Sequence, residues 1–112
     1  MITIEDFHKL EIRIGHIVSA EKVLDADKLL KLFVEFGEET PRQIISGISE
    51  FFPDPSALVG KKCAFAANLE PRVIRGLESQ GMILAVNGME GDNKFFSLLE
   101  TSSDVVPGSK VK

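Results

Sequence analysis

The segment of residues 68–82 carries most of the side chains whose chemistry suits a polyanionic ligand. Arg72 and Arg75 are separated by two apolar residues, so both guanidinium groups can project to one side of a loop. A guanidinium donates hydrogen bonds in a fork that matches a phosphate group. Asn68 and Ser79 lie on either side of the arginines, and both can donate and accept hydrogen bonds. The segment therefore predicts a phosphate-binding loop with polar neighbours.

Four further positions complete the set of candidates. Lys28 adds a positive charge from the first turn, and Arg42 adds another from the third predicted strand. Gly81 lets the backbone approach a ligand closely, and Met82 is flexible enough to pack on an unstacked base. Each type of residue also has a structural alternative. Loop arginines are commonly solvated, an asparagine can hold a turn, a serine can cap backbone, and a methionine can pack in the core.

Residues for other chemistry are few. The two histidines, His8 and His16, and the single cysteine, Cys63, are too few for a zinc-type metal site. The chain has no glycine-rich phosphate loop of the Walker or dinucleotide-binding type and no nucleophile elbow. We therefore expect no catalysis, no cofactor and no metal. Cys63 lies in an apolar run, which predicts an inert core thiol in a cytoplasmic protein.

Length and charge bound the class of protein. The 112 residues, 44% of them hydrophobic, predict a single domain over residues 1–112. No apolar run approaches the ~18 residues of a membrane span, so we expect no membrane association. A net charge of −4 argues against nonspecific coating of nucleic acid. However, residues 61–75 hold Lys61, Lys62 and both arginines against one glutamate, which predicts a local basic face.

The elements that must position these side chains are mostly short strands. Thr3 and Asp6 form a capping box that predicts a helix through about Lys9. A phase slip at Gly15 predicts a bulge or a sharp coil in the strand, and residues 48–59, which contain Pro53 and Pro55, predict a short helix between Pro55 and Gly60. Alternating patterns predict strands over residues 10–22, 29–36, 42–46, 62–67, 82–86 and 95–99, with polar turns at 23–28 and 87–93 and a loop at 68–81. This pattern predicts an all-β barrel, either the five-stranded Greek-key OB-fold or another small barrel, with a C-terminal extension.

Several segments resemble the tRNA-binding OB domain family, and they occur in the family's order. They are residues 12–15 (Ile-Arg-Ile-Gly), 26–29, 42–48 and 68–82, the last with the family's Asn-Leu, Pro-Arg, Gly and Ser-x-Gly-Met pattern almost unbroken. The resemblance covers essentially the whole chain and favours the OB-fold. Families of this kind form the C-terminal domain or separate β subunit of methionyl-tRNA synthetases, and they also occur as stand-alone dimeric tRNA-binding proteins.

The resemblance implies a non-catalytic protein that binds tRNA through its structure, as a β subunit or stand-alone homologue. A methionyl-tRNA synthetase catalytic subunit is the second partner it suggests. It also implies a homodimer built through residues 1–9 and 87–112, with Phe7, Phe95 and Phe96 as candidate anchors. Val73 stands where members often carry a third basic residue, which implies weaker affinity. The implied tRNA contacts are Lys28, Arg42, Asn68, Arg72, Arg75, Ser79, Gly81 and Met82.

One alternative function remains within the same architecture. The CsaA-type chaperones share the OB-fold and a similar beginning, and they bind polypeptide. The Ser-x-Gly-Met segment at residues 79–82 fits the tRNA-binding branch better. An enzyme is the least favoured class, because no nucleophile, metal set or cofactor loop can be named.

Overall fold

Nine strands and one short helix run along the chain, and the structure, a computed structural model, describes all of residues 1–112. Helix α1 spans Ile4–His8 and two 3-10 turns span Ser49–Phe51 and Pro55–Leu58. The strands are β1 Ile12–Val23, β2 Ala26–Glu35, β3 Arg42–Ser46, β4 Lys62–Ala66, β5 Arg72–Ile74, β6 Leu77–Ser79, β7 Met82–Ile83, β8 Ala85–Glu90 and β9 Asn93–Leu98. None of the helical segments has the length and apolar character needed to cross a membrane.

Five strands form one antiparallel sheet in the order β3–β2–β1–β4–β7. The long strand β1 makes this order possible, because its first half pairs with β4 and its second half pairs with β2. The sheet curls round so that β3 meets the β6–β7 segment, where the Gln80 amide donates to the Gln43 carbonyl oxygen at 2.8 Å. This is the five-stranded Greek-key arrangement of an OB-like barrel, and the predicted fold class is confirmed.

The core follows the alternation of β2. Leu30, Leu32 and Val34 are completely buried, and Phe36 continues the same face just beyond the strand. These side chains pack against the other buried members of the core, among them Ile17, Ile44, Leu58 and Phe65. Burying an aliphatic side chain of this size contributes about 1.5–3 kcal/mol, so this one strand face supplies a large share of the barrel's stability.

The bulge predicted at Gly15 is wrong in position. Gly15 pairs in register with Cys63, and the irregularities of β1 lie between Ile17 and Ser19 and between Lys22 and Val23. A Cβ atom on Gly15 would lie 2.5 Å from Cγ1 of Val34. The glycine is therefore needed so that the core side chains of β2 can pack directly against the backbone of β1.

Three predicted boundaries need correction. The short helix predicted between Pro55 and Gly60 is the 3-10 turn Pro55–Leu58, which begins on Pro55, and a second 3-10 turn precedes it at Ser49–Phe51. The segment 68–81, predicted as a loop, contains the β5–β6 hairpin. The turn predicted at 87–93 is limited to Gly91 and Asp92, because β8 continues to Glu90 and pairs with β9. The last two errors have the same cause, because a hairpin with few buried residues lacks the apolar alternation that predicts a strand.

The end of helix α1 and the C-terminal segment are both bonded to other parts of the chain, the former through the Asn68 side-chain amide, which donates to the Lys9 carbonyl oxygen. Thr3 and Asp6 form the predicted capping box, with each side chain bonded to the other residue's backbone. The C-terminal segment lies beside the start of β1, where the Gly108 amide donates to the Ile14 carbonyl oxygen at 2.7 Å and the Val111 amide donates to that of Ile12 at 2.8 Å. The C-terminal extension thus covers the part of β1 that β2 does not reach.

Candidate nucleic-acid interface

Two hairpin tips meet at one end of the barrel. The first is the two-residue turn between β1 and β2, formed by Leu24 and Asp25. The second is the tip of the β5–β6 hairpin, formed by Arg75 and Gly76. A cleft of about 580 Å³ lies between them and is lined by Asp25–Leu29, Ile74 and Arg75. We call it the hairpin cleft.

A smaller cleft of about 370 Å³ lies on the other side of Arg75. Lys22, Leu24 and Leu77 are among the residues that line it. Arg75 borders both clefts, so its guanidinium is accessible to a ligand that occupies either of them. Leu24 at the tip of the first hairpin and Val73 on the second are strongly exposed, at 88% and 73%. Exposed aliphatic side chains therefore flank the charged groups.

The charge of this end is set by cations that have no acidic partner. Seven of the 13 basic side chains lie in ion pairs: Lys9, Arg13, Lys31, Arg42, Lys61, Lys62 and Lys94. Lys22, Lys28, Arg72 and Arg75 have none, and all four lie on the two hairpins. An unpaired cation keeps its full potential for attracting an anion. Apart from Lys110 and Lys112 at the C-terminal end, all the unpaired cations of the chain thus lie on these two hairpins.

Lys61 and Lys62 do not belong to this basic face, which corrects the local charge count made from the sequence. Lys61 pairs with Glu100 at 3.2 Å, and Lys62 pairs with Asp104. Both acids come from the C-terminal part of the chain, nearly forty residues or more away. Local sequence composition cannot reveal partners at that separation.

Arg75 occupies an unusual backbone conformation. Its φ is +54° and that of Gly76 is +80°, so both central residues of the β5–β6 turn are left-handed. A two-residue hairpin turn of this kind matches the right-handed twist of the strands it joins. For an arginine the left-handed region is unfavourable, and such strain is frequently found at functional sites. The turn places Arg75 at the very tip of the hairpin.

Asn68 and Ser79 use their polar atoms inside the protein. The Asn68 carbonyl oxygen Oδ1 accepts from the Glu11 amide at 2.8 Å, and Nδ2 donates to the Lys9 carbonyl oxygen at 2.7 Å. Ser79 is 4% exposed, and its hydroxyl accepts from the Ile45 amide at 2.9 Å while donating to the Gly81 carbonyl oxygen. Both side chains hold the hairpin segment against the barrel.

Arg42 also acts as a connector. It donates to both carboxylate oxygens of Glu38 at 2.8 Å, and Nη1 donates to the carbonyl oxygens of Ala67 and Gln80. The hydrogen bond to Glu38 raises the pKa of the Arg42 guanidinium above its ordinary value. Arg42 thus joins the β2–β3 turn to both ends of the hairpin segment and stays charged while doing so.

Gly81 and Met82 lie where the chain leaves the hairpin and enters β7. Gly81 has a φ of +142°, and a Cβ atom there would lie 3.0 Å from the Ala66 carbonyl oxygen. The position thus requires glycine for the close approach to β4. Met82 pairs with Ala66 in the sheet and is 45% exposed. Neither residue lines the hairpin cleft.

Sequence reasoning missed the residue that fixes the hairpin to β3. Gln43 donates from Nε2 to the Glu78 carbonyl oxygen at 2.9 Å, and its amide donates to Oε1 of Gln80 at 3.0 Å. The sequence contains a sign of this contact, because Gln43 and Gln80 are polar residues at positions where the strands that close a barrel should meet. Lys22, Asp25 and Asp27 were also not predicted as site residues. The sequence feature that could have indicated them is the cluster of polar residues around the β1–β2 turn.

Groups that could support other chemistry are absent or buried. No group of three or more His, Cys, Asp or Glu side chains is arranged to hold a metal ion. Cys63 is fully buried, and burial raises the pKa of its thiol to about 11. A thiol with that pKa is almost entirely protonated at neutral pH, so it is a poor nucleophile. The predicted core role of Cys63 is confirmed.

The candidate anchors for self-association differ in their surroundings. The Phe96 ring stacks on that of Phe51 with centroids 4.0 Å apart and meets Phe52 edge-on, so it closes this protein's own core. Phe95 is half-exposed and packs over Gly88 on the opposite strand. Phe7 lines a cleft of about 390 Å³ with the C-terminal residues Lys110–Lys112.

Comparison with known proteins agrees with this architecture. The family model described as "Putative tRNA binding domain" matches residues 12–110. The methionine–tRNA ligase of Enterococcus faecalis is 50% identical over 90 residues, which are 80% of this chain and 14% of the ligase. The chain thus spans about one seventh of that relative's length.

Two solved structures match along the whole chain. A MetRS-related protein from Pyrococcus horikoshii has a TM-score of 0.87 and 35% identity, with 100% of this chain and 98% of that one covered. The chaperone CsaA from Bacillus anthracis has a TM-score of 0.81 and 26% identity, with 100% and 99% covered. From the span of the family model and the identity to the Pyrococcus protein, it follows that this chain belongs to the tRNA-binding domain family.

Proposed function

We propose that this chain is a non-catalytic, single-domain cytoplasmic protein over residues 1–112 that binds tRNA with the face formed by its two hairpin tips. One observation carries the proposal. No acidic partner is bound to the four cations nearest the two hairpin turns, Lys22, Lys28, Arg72 and Arg75, whereas seven of the nine other basic side chains are paired. Phosphate contacts supply the affinity of such a face, and the OB-fold uses the same pair of loops for oligonucleotides.

The eight candidate residues divide into two roles in this proposal. Lys28, Arg72 and Arg75 contact tRNA directly, because they are exposed and unpaired. Met82, which is half-exposed at the edge of the same region, adds an apolar contact. The remaining four, Arg42, Asn68, Ser79 and Gly81, hold the hairpin segment in position through the hydrogen bonds and close approach described above.

A salt titration of tRNA binding tests the proposal. Binding that releases counterions weakens with salt, and the slope of log affinity against log salt counts the phosphates neutralised. We expect Arg72→Ala and Arg75→Ala each to reduce the slope by about 1. Lys94→Ala is the matched control, because Lys94 is paired with Glu50 and lies on β9. Its slope should equal that of the unchanged protein. Absence of tRNA binding at low salt would overturn the proposal.

We also propose that the chain acts with methionyl-tRNA synthetase, as a β subunit or as a stand-alone homologue. Support comes from the relatives, which are methionine–tRNA ligases that extend far beyond this domain. In this arrangement the chain supplies tRNA affinity and the ligase supplies the chemistry. Pull-down from the source cell should recover a methionyl-tRNA synthetase catalytic subunit. Recovery of tRNA without any such subunit would favour the stand-alone alternative.

The second candidate function is polypeptide binding. It is favoured by the match to the chaperone CsaA over the full length of both chains. The two functions predict different salt effects, because apolar contacts with a polypeptide do not weaken with added salt as phosphate contacts do. Suppression of aggregation of an unfolded protein, unaffected by Arg75→Ala and by salt, would support the chaperone function over tRNA binding.

A further inference from the structure

The hairpin cleft contains two carboxylates as well as two cations. Asp25 and Asp27 line it together with Lys28 and Arg75. The cations form no ion pair with these carboxylates, and neither aspartate side chain is held by a hydrogen bond from elsewhere in the protein. By contrast, Glu21 on the adjoining strand is paired with Lys31 at 2.8 Å. Charges of both signs are thus available to a ligand in one cleft.

Two carboxylates restrict which ligand can enter. A carboxylate only accepts hydrogen bonds and repels a phosphate, so in a site for a polyanion it must meet a hydrogen-bond donor. A sugar–phosphate unit of RNA supplies both needs, because its phosphate is an anion and its 2′-hydroxyl is a donor that DNA lacks. The cleft's volume of about 580 Å³ falls within the range of about 300–1,000 Å³ of small-ligand sites.

The aliphatic side chains beside the cleft favour an unpaired nucleotide. Leu24 and Val73 are both strongly exposed on the hairpins that form it. An unstacked base presents an apolar face that such side chains can cover, whereas the bases of a duplex are already stacked on each other.

We propose that the hairpin cleft receives one unpaired ribonucleotide of the bound RNA, with its phosphate on Lys28 and Arg75 and its 2′-hydroxyl donating to Asp25 or Asp27. This inference rests on the proposed tRNA binding and adds to it a means of selecting RNA over DNA. The aspartates are specificity-determining residues, because they lower the affinity for any polyanion that brings no donor.

The test compares a tRNA transcript with a DNA strand of the same sequence. The measured quantity is the ratio of the two affinities for the unchanged protein, Asp25→Asn and Asp27→Asn. Removing a negative charge raises both affinities, so only the ratio isolates the hydrogen bond. We expect at least one variant to lower the preference for RNA by about tenfold, the value of one hydrogen bond to a charged group. Glu39→Gln is the control, since it removes an exposed charge on the β2–β3 turn.

A second arm distinguishes the sugar from the base as the donor. Transcripts carrying a single 2′-deoxynucleotide at each unpaired position should reveal one position at which the unchanged protein binds more weakly and the aspartate variant does not. Inosine in place of guanosine removes the amino group of the base instead. With such transcripts, the aspartate variant should still show its reduced preference for RNA over DNA. An unchanged ratio in both aspartate variants, with tRNA still bound, would overturn the inference and leave the proposed function standing. Failure of all tRNA binding would overturn both.

Discussion

At the scale of single residues, the side chains that look suited to a ligand are divided by their internal hydrogen bonds. Asn68, Ser79 and Arg42 have the polar groups expected of RNA contacts, yet each bonds to backbone at a distant part of the chain. Lys28, Arg72 and Arg75 do not. The sequence predicts the residue types at this end of the barrel, but only the fold reveals which of their atoms are already occupied, since the partners lie 25 to 59 residues away.

Ser79→Ala tests the structural role of the buried hydroxyl. The change removes the acceptor of the Ile45 amide and leaves that amide buried without a partner. Such a loss costs about 1–3 kcal/mol, so we expect a lower free energy of unfolding by that amount in denaturant titration. Ser103→Ala is the control, because Ser103 is exposed, and its effect should stay within about 0.5 kcal/mol. Equal stabilities for the two variants would contradict the assigned role.

At the scale of elements, regular alternation was predictable and irregular pairing was not. The buried face of β2 and the bounds of β3 follow from the period of two. The β5–β6 hairpin does not, because each strand has three residues and only Ser79 is buried. Its turn residues, Arg75 and Gly76, do not predict a two-residue turn, because arginine rarely adopts the left-handed conformation that the first position requires. The bend of β1 also depends on packing against β2, which no local pattern contains.

Arg75→Asn separates the stability of the hairpin from its function. Asparagine before glycine is the preferred pair for a two-residue hairpin turn, and arginine at φ +54° is not. The variant should therefore be more stable by up to about 1 kcal/mol in thermal unfolding, while its tRNA affinity falls. Arg72→Asn is the matched control, since Arg72 lies in the strand and should lose affinity without gaining stability. A less stable Arg75→Asn protein would show that the tip conformation carries no strain.

The β2–β3 turn gives a prediction for acid stability. The Arg42 hydrogen bonds hold the pKa of Glu38 below its ordinary value. A carboxyl with a lower pKa in the folded state stabilises the protein above the unfolded-state pKa of about 4.3, and this contribution is lost as pH falls through the folded value. Glu38→Gln should thus lose less stability than the unchanged protein on acidification below about pH 4.3.

Glu39 is the matched control for that titration. It is the next residue along the turn, it is exposed, and it has no ion-pair partner. Glu39→Gln should follow the stability curve of the unchanged protein, since it leaves the contacts between Glu38 and Arg42 in place. Parallel curves for Glu38→Gln and the unchanged protein between pH 5 and about 3 would contradict the assigned coupling to Arg42.

At the scale of the whole molecule, a net charge of −4 is compatible with binding a polyanion because the charges are sorted. Acidic side chains pair with seven of the nine other cations and leave the four nearest the two hairpin turns unpaired. Such a protein binds weakly through one face, so two faces on one particle would bind a large RNA more tightly by raising the effective concentration. This gives a physical reason for the homodimer that the family resemblance implies. The terminal regions have the surface for it, since Ile2, Ile4 and Met89 are all more than half exposed.

Met89→Glu tests the homodimer. Met89 is 64% exposed on β8, so a charge there should leave the fold of one chain intact while disrupting an apolar interface. In sedimentation at tens of micromolar we expect a dimer for the unchanged protein and a monomer for the variant, with tRNA affinity reduced by the loss of the second face. Leu24→Glu is the matched control, because Leu24 is even more exposed but lies in the β1–β2 turn and not on the β8–β9 hairpin. It should remain dimeric and lose tRNA affinity directly. A monomeric unchanged protein would overturn the dimer, and a dimeric Met89→Glu would move its interface away from β8.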